Sequence, residues 1–168
     1  MRSLALRVSW SAALLWTLAL TMLHAQSNAA SDPKEDALTH HATGPFDVKV
    51  VPQDDKLGDG ISRMALEKQY HGELEGTAKG QMLAVGSAKT AGVYVAIETF
   101  TGTLQGKNGG FALHHTGIMT KAGPTLEVAV VPDSGTGDLK GISGKMKISI
   151  APDGKHSYDL EYTLPSAQ

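Results

Sequence analysis

The chain has no cysteine among its 168 residues. That absence removes disulfides, thiolate metal sites and a lipid-anchored N-terminus from consideration. Aromatics are few, with Trp 2, Phe 3 and Tyr 4, and no basic run is interleaved with them. A nucleic-acid partner is therefore not expected. Lys+Arg 15 against Asp+Glu 17 leaves a formal net charge of -2, and losing Arg2 and Arg7 would make the remainder more acidic. No apolar run reaches the ~20 residues a membrane-spanning helix needs. No stretch after the N-terminal region carries a convincing helical period. Ser-His-Asp order in a nucleophile-elbow context is missing too. The glycine-containing segment Val131 to Gly137 lacks the Lys-Ser/Thr of a phosphate loop and reads as structural.

What is present begins with an address. Arg2 and Arg7 precede the apolar run Val8 to Leu23, and small residues follow, with Ala25 the expected last residue before cleavage. This is the pattern of a secretory signal peptide over residues 1–25, with Ala29 and Ala30 as alternative cleavage points. The expected product is a secreted or periplasmic protein with no stable membrane anchor after cleavage. An uncleaved anchor is the alternative. Residues 26–43 are polar and small, include Asp32-Pro33-Lys34-Glu35-Asp36, and read as a flexible tether with at most one short helix at Pro33 to Leu38. His40 and His41 fall in that tether and read as solvated.

Residues 44–165 form the expected single domain. From Phe46 to Leu164 the apolar positions alternate with period two in roughly eight runs. Pro152-Asp153-Gly154 is a strong turn signal between the last two. The pattern Gly72-Glu73-Leu74-Glu75-Gly76 recurs as Gly102-Thr103-Leu104-Gln105-Gly106 and as Gly137-Asp138-Leu139-Lys140-Gly141. We read it as a recurring hairpin end whose leucine plugs one mouth of the sheet. Antiparallel strands with one apolar face close most simply into a barrel, which removes exposed edges. The fold class is thus all-β, a closed or nearly closed antiparallel barrel of about eight strands.

The segment Val93 to Thr120 is the most function-like part of the chain. Pairing Leu104 with Phe111 puts Ile97 opposite Ile118, Thr101 opposite His114 and Phe100 opposite His115. Across the turn at Lys121 to Pro124, the same logic puts His115 opposite Val130. Glu98 and His115 then share the inner face, and a slip of two residues preserves that parity. Lys68 joins them from the first copy of the repeat. The expected ligand-binding residues are Lys68, Tyr70, Glu98, Phe100, His115, Met119, Tyr158 and Tyr162. Glu98 and His115 are also the candidate catalytic groups, as a general acid/base pair in a dry pocket. A buried polar pair that fixes the barrel register is the plainer reading. No metal is expected, because His114 and His115 are adjacent in a strand and point to opposite faces. No cofactor is indicated.

The runs Tyr94-Val95-Ala96-Ile97-Glu98, Leu113-His114-His115-Thr116-Gly117, Val131-Pro132-Asp133-Ser134-Gly135-Thr136-Gly137 and His156-Ser157-Tyr158-Asp159, with the second copy of the repeat, resemble the domain-of-unknown-function family numbered 3224. The resemblance covers Ala42 to Pro165. It implies a small β-barrel similar in fold to allene oxide cyclase and no established activity.

Three function classes fit these residues. One is a barrel that binds a small apolar or amphipathic molecule in its interior. A second is a cyclase or isomerase using Glu98 and His115 in the same pocket. The third is a solid-cored module that self-associates through the outward Val93, Val95, Ile97 and Ile118, giving a homo-oligomer.

Overall fold

Period-two alternation resolves into nine strands in the computed structural model, which describes residues 38–54, 58, 60–86 and 91–166. The strands are β1 (His40–Gln53), β2 (Ile61–Tyr70), β3 (Leu74–Gly86), β4 (Gly92–Leu104), β5 (Lys107–Thr120), β6 (Gly123–Val130), β7 (Thr136–Gly137), β8 (Ser143–Ile150) and β9 (His156–Thr163). No helix occurs among the described residues. The expected signal peptide, and the tether as far as residue 37, lie outside them. The tether's last residues do not behave as expected. His40 to Thr43 belong to β1 and pair with Tyr162 to Asp159 of β9.

Eight strands form a ring in the order β4-β3-β2-β1-β9-β8-β6-β5, and β5 returns to β4. Every pairing is antiparallel. The two-residue β7 adds a short edge to Gly109 and Gly110 of β5. Closure removes the free edges of an open sheet, although β6 and β8 pair only at Ala129 and Lys145.

The Pro-Asp-Gly turn sets Ile150 opposite His156, Ile148 opposite Tyr158 and Met146 opposite Leu160, as expected. The hairpin formed by β4 and β5 differs from expectation. Leu104 pairs with Lys107, not Phe111, so Phe100 faces Phe111 and Ala96 faces His115. Gln105 (φ 46) and Gly106 (φ 82) form a two-residue turn with both central residues at positive φ, the geometry whose twist matches that of the flanking strands. The β5–β6 register is shorter by two, with His115 opposite Val128. Both slips are even, so every side chain keeps its predicted face.

The barrel has one plugged end and one open end. At the plugged end lie the β2–β3 and β4–β5 turns, and Leu74, Leu104 and Leu139 of the repeat are all 0% exposed there. They pack with Phe111, Ile142 and Leu160 in the core. Full burial of a leucine contributes about 1.5–3 kcal/mol relative to exposure, so the three together hold this end shut. Tyr158 strengthens it: its hydroxyl accepts from the Leu74 amide (2.7 Å) and donates to the His71 carbonyl (3.0 Å). The opposite end carries the β5–β6 and β8–β9 turns, and there the interior is not filled.

Candidate ligand site at the open end of the barrel

Inward parity on three strands delivers the polar groups. Lys68 on β2, Glu98 on β4 and His115 on β5 are 7%, 1% and 5% exposed. The Lys68 ammonium is 2.9 Å from both Glu98 oxygens, with hydrogen-bond geometry met only toward Oε1. It also donates to the Tyr70 hydroxyl (3.2 Å), which in turn donates to Glu98 Oε1 (2.9 Å). The ammonium lies 5.1 Å from the Phe46 ring centroid, a cation–π distance. His115 Nε2 approaches Glu98 Oε1 at 3.5 Å. That is an electrostatic contact at the outer limit of hydrogen bonding. Glu98 Oε2 and His115 Nε2 are buried without a hydrogen-bond partner among the described residues.

The charge states follow from this geometry. Burial is the largest influence on Glu98 and raises its pKa. The His115 contact and the Lys68 charge together outweigh it and bring the carboxyl down to about 2. Burial lowers the pKa of Lys68, and Glu98 opposes that shift. Tyr70 is pushed up by burial and further by the Glu98 charge. The cluster is therefore a closed Lys–Glu–Tyr triangle with an imidazole at its edge.

Above it an apolar cleft of about 270 Å³ opens, and Lys68 and His115 contribute to its lining. Phe46, Leu66, Met82, Tyr94 and Met119 supply much of the wall. Tyr94 is opposite Gly117, and a Cβ added at Gly117 would overlap the Tyr94 ring. Gly117 thus lets the tyrosine lie flat across β5 and into the cleft wall.

The model of the family described as "Protein of unknown function (DUF3224)" matches residues 42–162. The chain belongs to this family. It is similar to a crystal structure, at 1.84 Å resolution, of a protein with unknown function from the DUF3224 family from Shewanella oneidensis MR-1. The two are 42% identical with a TM-score of 0.71, and the match covers 77% of this chain and 100% of that one. No curated protein matches.

In this DUF3224 chain the expected ligand residues divide by depth. Lys68, His115 and Met119 line the cleft. Tyr70 and Glu98 complete the polar cluster, and Phe100 packs edge-on against Tyr70 at 5.9 Å between ring centroids. Tyr158 and Tyr162 are at the plugged end, where Tyr162 donates to Gln105 Oε1 (2.7 Å). They are inside the barrel but away from the cleft. Phe46, Met82 and Tyr94 were not among the expected ligand residues. Tyr94 was within reach, since it shares parity with Glu98 four residues later. Phe46 alternates with Val48 in its own strand. The His40–His41 pair, expected to be only solvated, is structured: His41 Nδ1 is 2.9 Å from Asp159 Oδ1, and His40 stacks on Tyr162. No group of three or more metal-ligating side chains occurs among the described residues.

Proposed function

We propose that this protein is a small-molecule-binding barrel whose open end takes a mainly apolar molecule onto the Lys68–Glu98–His115 floor. One observation carries the reading: a buried, charged cluster, two of whose polar atoms lack a hydrogen-bond partner among the described residues, lies beneath an open cleft whose walls are mainly apolar, with Tyr94 and His156 among them. Convergent polar groups at the base of an apolar concavity are the usual form of a ligand site. The size supports a small molecule, because 270 Å³ falls just below the roughly 300–1,000 Å³ that holds drug-sized ligands. The outward apolar residues Val93, Val95, Ile97 and Ile118 are exposed on the far side of the wall and take no part in this site.

Catalysis by Glu98 is less well supported than binding. A carboxyl held near 2 is a poor general base at neutral pH, where proton transfer is most effective from groups titrating close to the working pH. The reading also holds the barrel to be exported, on the strength of Arg2, Arg7, the Val8 to Leu23 run and Ala25. A mature mass beginning at Gln26 tests that part.

Binding is tested with the neutral dye N-phenyl-1-naphthylamine, whose emission rises on entering an apolar site. The expected result is saturable binding at one dye per chain, abolished by Met82→Trp with little change in Tm. Dye binding that is unaffected by Met82→Trp would place the site elsewhere.

A further inference from the structure

We infer that the outward apolar face of β3, β4 and β5 is a dimer interface, on which a second copy of this chain packs about a two-fold axis running along β4. The inference stands apart from the ligand reading. Register makes the face continuous. One row across the sheet runs Ile61, Val85, Val93, Ile118. The next sets Leu83 beside Val95, and Ile97 follows two residues along β4. All are outward by parity, and each is between 42% and 62% exposed. They are seven of the eleven large apolar side chains exposed among the described residues, so the uncovered apolar surface is gathered on this face and not scattered.

Area identifies the occupant. Together the seven present on the order of 500 Å² of apolar surface, near the top of what a monomer leaves uncovered. A standard interface buries about 800 Å² on each partner, a little over half of it apolar. The patch with its polar border of Gln81, Thr99 and Thr116 therefore matches one whole interface. Its side chains are uncharged, so apposing the patch to its own copy sets no like charges together at the centre. Strand order then fixes the orientation. Arg63 on β2 and Glu127 on β6 flank Leu83, Val95 and Thr116 in one row. An axis along β4 turns the β2 side of one copy toward the β6 side of the other, Arg63 toward Glu127. An axis across the strands would set each of these charges against its own like. The outside of a barrel is convex, so contact centres on β4, where Val93, Val95 and Ile97 each meet their own counterpart. A lipid surface fits less well, because no Trp or Tyr lies on this outward face and a net charge of -2 gives no attraction to anionic lipid.

The test measures sedimentation of the purified protein at micromolar concentrations, where a dimer is expected. Val95→Lys places two ammonium groups at the axis and should weaken the dimer at least about 100-fold. The position is half exposed, so Tm should barely change. Single cysteines give a second readout, because the chain has no cysteine of its own, and it serves even if Val95→Lys fails to fold. A short bis-maleimide should join Ile97→Cys chains in high yield. It should leave Thr77→Cys chains, on the outward face of β3 but beyond the patch, unjoined. A protein that is monomeric at these concentrations would overturn the inference, and recruitment of that monomer to phosphatidylcholine vesicles would assign the face to lipid instead. A dimer that survives Val95→Lys, or that cross-links at Thr77→Cys and not at Ile97→Cys, would place the interface elsewhere and overturn it too.

Discussion

Glu98 carries its charge where burial opposes charge, and the cost is offset only while Lys68 and His115 stay beside it. With its carboxyl lowered from 4.5 to about 2 in the folded protein, the stability it contributes is fully present above the unfolded carboxyl range. That contribution declines as pH falls from about 4.5 and is lost once pH passes below about 2. The shift corresponds to something on the order of 3 kcal/mol, so acid titration followed by circular dichroism should show the folded state weakening across that interval. Glu98→Gln should flatten that dependence, and an unchanged acid profile would show that the carboxylate is not its source. Lys68→Met alone leaves a buried carboxylate uncompensated and should destabilise by about 3–5 kcal/mol. The combined Lys68→Met/Glu98→Leu/Tyr70→Phe chain removes all three polar members and should recover most of that loss in chemical denaturation. Parity made the inner face of Glu98 and His115 legible from sequence, because alternation survives any even register slip. The Tyr70 link was not legible in the same way. It depends on the stagger of β2 against β4, which no local pattern encodes.

At the scale of single elements, the β4–β5 hairpin shows where sequence reading stops. Asn108, Gly109 and Gly110 have loop composition, yet they are strand, paired with β4 on one side and, at the two glycines, with β7 on the other. The reversal is left to Gln105 and Gly106, although glutamine is not a residue that prefers positive φ. Its side chain accounts for its presence. Gln105 Nε2 donates to the His41 carbonyl (2.8 Å) and to Glu73 Oε1 (2.9 Å), while Oε1 accepts from Tyr162 (2.7 Å). The residue ties the ends of β1, β3 and β9 to the β4–β5 turn. Gln105→Gly would relieve about 1–2 kcal/mol of left-handed backbone strain but remove three hydrogen bonds, each worth about 0.5–1.5 kcal/mol, and add unfolded-state entropy that offsets part of the relief. A net loss of about 1–3 kcal/mol is expected in urea melts, with the Tyr162 hydroxyl left without its acceptor. A more stable Gln105→Gly variant would show that backbone strain outweighs the side-chain ties. The tether was misread for a related reason. Ala42 is small and buried between outward His41 and Thr43, so a barrel strand there has the composition of a linker.

The whole barrel is not uniformly sealed. β4 and β5 share thirteen paired positions, whereas β6 and β8 share one, Ala129 with Lys145. Along that seam an outward cleft of about 510 Å³ runs between Leu126 to Ala129 and Lys145 to Lys147. The side chains turned inward beside it, Val128 and Met146, are still buried, so packing, with little hydrogen bonding, holds the two strands together. Closure was expected from the number of strands, but the weak joint was not. The connection from Val131 to Ile142 diverts the chain through β7 and the Leu139 plug before β8 begins, and no turn signal fixes a register across it. Segments with few backbone hydrogen bonds are the ones that open locally at low free energy. Native-state hydrogen exchange should therefore find the strand amides of residues 126–130 and 144–147 exchanging well before those at the centres of β3, β4 and β5. Because the Lys68–Glu98–His115 floor stands on β2, β4 and β5, on the well-paired side, opening of the seam should leave its protection intact. Exchange at Ala96 to Phe100 as fast as at Val128 to Val130 would mean that the barrel opens as one unit, with no preferred joint.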